Sequence, residues 1–318
     1  MGVEQWEDFY RGGALATGPS DLDGFYDLEV AAVWRKFFDG LPAEGRLLDL
    51  GTGNGVLALM ALEHARIRGA VLSIDACDLA RIDPCRHVHG GESRFAGIRF
   101  HPGMAMERLG FEDASFDAVV GHYALEYGDI SEALSEIRRV LRPAGHAQFV
   151  MHHAGSVLLE SAQHTLEESD AVLRHHAFYR KLSKLLTLEN ATPSTIASAQ
   201  EDVVQAIRAL RAKMDAARIA KLDGGRVYAV ALDAAKKLLD ARRTTPAALV
   251  GLEVERAENA MRLAARRQAD LITAAKDADG IANVCRVLEA LGFEDIDVAE
   301  LHHDVQHLVG WRLRFRRR

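Results

Sequence analysis

The stretch LLDLGTGNGVLALMA, residues 47 to 61, constrains this 318-residue chain more than any other. An apolar run stops at Gly51, Gly53 and Gly55, and a helical pattern starts directly behind them, so the segment reads as strand, tight turn and helix N-terminus. Turns of this kind usually cradle phosphates. A dinucleotide site asks for G-x-G-x-x-G, and here Val56 stands where the third glycine belongs. Asp49 sharpens the difference. A pyrophosphate beside a partly buried carboxylate meets like-charge repulsion, whereas a ligand carrying an ammonium group is attracted.

Around this turn the texture is that of βαβ units. RLLDLG (46–51), AVLSID (70–75), GIRFH (97–101), SFDAVVGH (115–122) and HAQFVMH (146–152) read as five strands with helical patterns between them. The clearest helix, ISEALSEIRRVLR (130–142), stops at Pro143. From residue 156 to 278 strand signals vanish and alanine-rich, charge-laced helical patterns take over. Val203, Ile207, Leu210 and Met214 form one three-four stripe, and Val250, Val254, Ala257 and Met261 another. After it the α/β texture returns with the helix IANVCRVLEALGF and two strands, EDIDVAELHH and HLVGWRLRF, expected to pair as a hairpin. The expected organisation is therefore a helical cap segment (1–45), a sheet domain from two pieces (46–155 and 279–318), and a helical insertion (156–278) that caps the site, forms a dimer interface, or does both.

The stretch D-L-G-T-G-N-G resembles the first motif of the class I S-adenosylmethionine-dependent methyltransferases. GFEDASFDAVVGHYALEY resembles that family's segment around its fourth strand, and IRRVLRPAGHAQFVM the helix, turn and fifth strand that follow. GFEDIDVAEL and GWRLRFRR resemble its closing strands. The resemblance covers roughly residues 46 to 153 and 280 to 317. It implies an α/β fold with a Rossmann-like, mostly parallel methyltransferase sheet and an antiparallel closing strand, interrupted here by a large all-helical insertion, and it implies S-adenosyl-L-methionine as cofactor.

The resemblance also distributes roles. Asp49, Gly51, Gly53 and Gly55 form the cofactor turn. A carboxylate at the end of the second strand binds the ribose hydroxyls, for which Asp75 ranks first and Asp78 second. Where many members carry an aspartate near the adenine, this chain has Met104, so apolar contact or a residue such as Glu107 takes that place. Tyr10 is expected to close over the cofactor from the N-terminal segment. Glu126 and His122, after the fourth strand, are the candidate proton acceptors.

Other features narrow the partners. A formal charge of −7 argues against broad phosphate-backbone binding, and no DNA partner is expected. Neither a signal-type N-terminus nor a membrane-length apolar run is seen, so a cytoplasmic protein without membrane contact is expected. Three cysteines without C-x-x-C spacing suggest free thiols. HHDVQH (302–307) invites a metal reading, but in an extended strand His303 and His307 lie about 13 Å apart, so no metal is expected. The expected activity is methyl transfer to oxygen or nitrogen of a small organic molecule. A tRNA or protein methyltransferase, or a non-catalytic cofactor-binding scaffold, are the alternatives.

Overall fold

In the computed structural model, which describes residues 2–16, 26, 28–220, 224–304 and 306–318, the alternating apolar runs become a seven-stranded sheet. The chain opens with α1 (Glu4–Arg11) and α2 (Leu28–Asp39), followed by β1 (Glu44–Leu50), α3 (Val56–Arg68) and β2 (Val71–Asp78). Two short helices, α4 (Pro84–His87) and α5 (Gly91–Arg94), lead to β3 (Ile98–Pro102) and β4 (Phe116–His122). Then come α6 (Ile130–Val140) and β5 (Leu141–Met151), the helices α7 (Val157–Asp170), α8 (Phe178–Leu186), α9 (Pro193–Ala220), α10 (Arg226–Ala241), α11 (Ala247–Ala274) and α12 (Ala278–Ala290), and finally β6 (Phe293–His303) and β7 (His307–Arg317). Part of the expected N-terminal cap, residues 17–25 and 27, lies outside the described residues.

The strand order is β3-β2-β1-β4-β5-β7-β6. Neighbours are parallel except at β7, which runs antiparallel to both β5 and β6. This is the Rossmann-like methyltransferase sheet with its antiparallel closing strand. Because β1 pairs with β2 on one side and β4 on the other, the chain reverses its direction of travel across the sheet there, and a crevice opens beyond the carboxyl ends of these strands.

Alternation along the strands supplies two cores. Leu47, Ile74, Ala76, Ala118 and Val120 pack with α2 and α3 on one face. Leu48, Leu50, Cys77, Val119 and Phe149 pack with α6 and α12 on the other. The helix expected to run through Arg142 ends at Val140, and β5 starts at Leu141, before Pro143. Proline cannot continue the helix, and the turn at Ala144, φ +62°, is accommodated inside the strand.

The chain divides into two compact units, residues 1–160 with 270–318, and residues 161–269. The second is helical and has its own core, in which Val203, Leu210, Val250, Val254 and Met261 are buried together. The two apolar stripes of the insertion are thus used within that unit. Among the described residues no helix is long and apolar enough to cross a membrane.

Candidate active site

Asp49 stands at the reversal of the sheet, opposite Ala76 of β2 and Val120 of β4. Its side chain is 1% exposed. Thr52 Oγ1 donates to Oδ2 at 2.6 Å, while Oδ1 is buried without a partner in the protein. Burial pushes the carboxyl up to about 7, hydrogen bonds from the Thr52 hydroxyl and the Ala58 backbone pull it back in part, and the charge of Asp78 adds to the rise. A buried acceptor oxygen with nothing to accept from is the mark of a group that awaits a cationic or donor ligand.

The glycines behind it are dictated by the backbone. Gly51, Gly53 and Gly55 have φ of +63°, +54° and +84°. Space forbids side chains as well: a Cβ at Gly51 would lie 2.4 Å from the Ala124 methyl, and one at Gly53 2.6 Å from the Tyr10 ring. The turn is closed by Thr52 N donating to Cys77 O and Gly55 N donating to Thr52 O. It delivers the N-terminus of α3, which has no side-chain cap, to the crevice.

Asp78 ends β2. It accepts from Gly53 N through Oδ2 and from Ala80 N through Oδ1, both at 2.8 Å, and burial pushes it up to about 6. Beside it lies a cavity of about 260 Å³. Gly51, Cys77, Asp78, Leu79 and Met104 form one wall, Gly2, Val3, Trp6 and Tyr10 a second, and Tyr123, Ala124 and Tyr127 a third, with Glu107 and Asp129 at the rim. Asp78, Glu107 and Asp129 are the carboxyl side chains of this lining, and no lysine, arginine or histidine is among the described residues that form it.

Asp75, ranked first for the ribose, is elsewhere. Its carboxylate accepts from Arg46, Arg99 and His101, and these partners hold it down at about 2 against the cost of burial. It lies outside the cavity lining. Of the two carboxylates, Asp78 is the one at the cavity, while Asp75 is engaged by Arg46, Arg99 and His101. Parity explains it. Asp49 is in register with Ala76, so Asp78, two residues on, shares its face, while Asp75 points to the other.

The third wall is an aromatic cluster. Tyr123, φ +53°, stacks on His152 with ring centroids 4.0 Å apart and donates its hydroxyl to Val309 O. Tyr127 meets Trp6 edge-on at 5.5 Å. Glu126 is buried behind them. Its Oε1 accepts from His152 N at 2.6 Å, Oε2 has no partner, and burial lifts it to about 7 against the pull of hydrogen bonds and Lys276. His122 accepts from Trp34 Nε1 at 2.9 Å and stacks against Tyr26 at 4.0 Å, and burial keeps the imidazole neutral. Neither Glu126 nor His122 lines the cavity. Tyr10, by contrast, does, and its carbonyl, with that of Ala14, accepts from Asn54 Nδ2. Asn54, fully buried, anchors the N-terminal segment to the glycine turn, a role that nothing in its sequence context announces.

The histidine-rich stretch forms the tip of the β6–β7 hairpin, with His303 directly opposite His307 instead of two turns of pleat along one strand. No group of three metal-ligating side chains is found among the described residues. His153 Nδ1 accepts from Gly155 N, which places the ring proton on Nε2, facing Glu300, and leaves that nitrogen no lone pair for a metal. In the arginine-rich strand β7, Arg312 pairs with Asp297, and Arg316 with Glu294 and Asp295.

Residues 48–149 match the family model for a methyltransferase domain. With its strand order and glycine turn, this part of the chain is similar to the class I S-adenosylmethionine-dependent methyltransferases. Among relatives, it is 30% identical over 157 residues to the 2-phytyl-1,4-naphtoquinone methyltransferase of Synechocystis, covering 47% of this chain and 64% of that protein. It is 30% identical over 122 residues to the ubiquinone/menaquinone biosynthesis C-methyltransferase UbiE of Rickettsia bellii, covering 36% and 47%. The chain thus spans between about half and two thirds of the length of these curated relatives. A solved geranyl diphosphate methyltransferase in complex with GPP and sinefungin aligns over 38% of this chain and 44% of its own at 19% identity and a TM-score of 0.32, and the fold assignment rests on the strand order, not on that superposition.

The site fits the cofactor of this class. Gly51 and Asp78 line the cavity, while Asp49, Gly53 and Gly55 stand behind that wall; the carboxylate at the end of β2 suits a ribose diol, and the orphaned Asp49 oxygen suits a cationic amino-acid end that reaches past Gly51.

Proposed function

We propose that the protein is an enzyme that transfers a methyl group from S-adenosylmethionine to a small organic acceptor. The observation that carries this reading is the acidic cavity at the reversal of the sheet: carboxylates at its wall and rim, and no basic side chain to meet a phosphate. S-adenosylmethionine, when bound, supplies a methyl group on a positively charged sulfur. Asp49 and the glycine turn hold its amino-acid end, Asp78 accepts from its ribose hydroxyls, and Met104, Leu79 and Glu107 surround its base. Tyr10 and Trp6 exclude water from one side, Tyr123 and Tyr127 from the other.

For the acceptor, the named relatives support an aromatic, quinol-like molecule methylated at carbon, in place of the oxygen or nitrogen expected from the sequence. A ring carbon becomes nucleophilic when a neighbouring hydroxyl gives up its proton, and Glu126, whose Oε2 lies without a partner behind the Tyr123 and Tyr127 wall, is proposed to receive it indirectly, since it does not itself line the cavity. His122, held by Trp34 and Tyr26, is assigned a packing role. Glu126→Gln is expected to lower kcat at least about tenfold and to abolish the pH-dependent limb near 7. An unchanged profile removes it from the mechanism. The test of the whole reading is calorimetry with S-adenosylmethionine and its demethylated product, followed by labelled methyl transfer into pools of quinols, other small molecules, tRNA and protein. Label in tRNA or protein supports the macromolecular alternative, and binding without transfer supports the scaffold. A homodimer is tested separately by sedimentation at micromolar concentration.

A further inference from the structure

The second wall of the cavity, α1, is fastened at both ends. At its C-terminal end the Asn54 amide donates to the carbonyls of Tyr10 and Ala14. At its N-terminal end Gln5 Nε2 donates to Gly2 O at 2.7 Å and to Asp270 Oδ2 at 2.6 Å. Gln5 is 4% exposed and Asp270 half-buried, so this is a partly buried hydrogen bond across 265 residues of sequence. Asp270 opens the segment that re-enters the sheet-bearing unit after the helical insertion. Six residues later, Lys276 N donates to His152 O, and Lys276 O accepts from Ala154 N and Trp311 Nε1, which fixes that segment to the end of β5 and to β7. The same segment therefore reaches α1 through Asp270 and the strand ends behind Tyr123 and Tyr127 through Lys276. Since Gly2, Val3, Trp6 and Tyr10 wall the cavity, the position of α1 sets how far that side of it is closed.

We propose that Asp270 is a positioning residue that holds α1 closed over the cavity through Gln5, so that the returning segment of the helical insertion governs cofactor exchange. This rests on the cofactor reading above. Loss of the contact frees the N-terminal end of α1 while Asn54 retains the other, so residence of the cofactor is affected more than the chemical step. The test measures dissociation of S-adenosylhomocysteine by stopped flow, together with hydrogen exchange of the α1 amides in the ligand-free protein. Asp270→Ala and Gln5→Glu, the latter setting two carboxylates against each other, are expected to speed dissociation about tenfold with kcat at saturating cofactor unchanged. The pair Gln5→Glu with Asp270→Asn restores the bond to position 270 with donor and acceptor reversed but gives up the one to Gly2 O, so it is expected to bring the rate back at least about threefold from that of Gln5→Glu alone. Single-variant rates within about twofold of the parent, or a pair that shows no rescue, overturn the proposal. If the parent protein binds no S-adenosylhomocysteine, the cofactor reading has failed, and the latch is judged by exchange alone: faster α1 exchange in Asp270→Ala, restored in the pair, upholds it, and unchanged protection overturns it. Should Asp270→Ala not fold, Gln5→Glu and the pair give the same decision.

Discussion

Two carboxylates three residues apart, Asp75 and Asp78, do opposite work. Asp75 is stabilised as an anion by three cationic or donor neighbours, so its contribution to folding is present above the ordinary carboxylate range and is lost as pH falls from about 4 through about 2. Because Arg46 and Arg99 are 37% and 55% exposed, Asp75→Asn is expected to cost only about 2 kcal/mol and to leave cofactor affinity intact, whereas Asp78→Asn weakens affinity by at least about tenfold and, by leaving the N–H of Gly53 or Ala80 without an acceptor, costs about 1–3 kcal/mol. Paired denaturation and calorimetry check both. Asp49 carries the clearest sign. Its folded pKa is raised to about 7, so the stability it contributes is present at low pH and lost as pH rises through 7. In the ligand-free protein Asp49→Asn is therefore expected to raise the melting temperature at about pH 8 and to change it little only near about pH 4, below the window in which the stability is lost. The carboxylate is also the form that attracts a cation, so affinity for S-adenosylmethionine should rise about tenfold between about pH 5.5 and 7.5, and lose that dependence in Asp49→Asn. A flat titration in the parent protein would contradict this assignment. Asp49 and the three glycines were legible because charge and positive φ restrict residue choice locally. The choice between Asp75 and Asp78 was not, because it depends on which residue of β1 lies opposite which residue of β2.

At the scale of elements, the five strands and the closing hairpin are readable from alternation, since a strand buried between helices leaves a short apolar run bounded by turn residues. The end of α6 was misplaced by two residues because the run Val140-Leu141 suits helix and strand equally, and pairing of Phe116 with Leu141 decides the matter. The way α1 lies on the glycine turn was only partly legible: Tyr10 could be suspected from its aromatic setting, but Asn54, Tyr127 and Asp270 acquire roles only through contacts distant in sequence. Gly53→Ala tests that packing. The new methyl meets the Tyr10 ring and the backbone must hold alanine at φ +54°, so a loss of about 1–2 kcal/mol in stability and at least about tenfold in affinity is expected. Substitution at Gly69, whose φ is also positive but whose Cβ would meet nothing within 4 Å, should cost stability alone.

Over the whole molecule, two units with separate apolar cores predict more than one unfolding transition in denaturant. S-adenosylmethionine should raise the midpoint of the transition that belongs to the sheet-bearing unit and leave the helical unit's midpoint in place, which fluorescence of the three tryptophans, all in the former, resolves from circular dichroism. The helical character of the insertion was legible in the loss of strand signals, but its use was not, because three-four stripes look the same whether they serve an internal core or a partner. The central claim is that the crevice at the reversal of the sheet takes a cationic donor and rejects phosphates. Titration calorimetry with S-adenosylmethionine and, in parallel, with NAD tests it most directly. Micromolar binding of the first, lost in Asp78→Asn, with no heat from the second is the expected result, and binding of NAD, or indifference to S-adenosylmethionine, would contradict it.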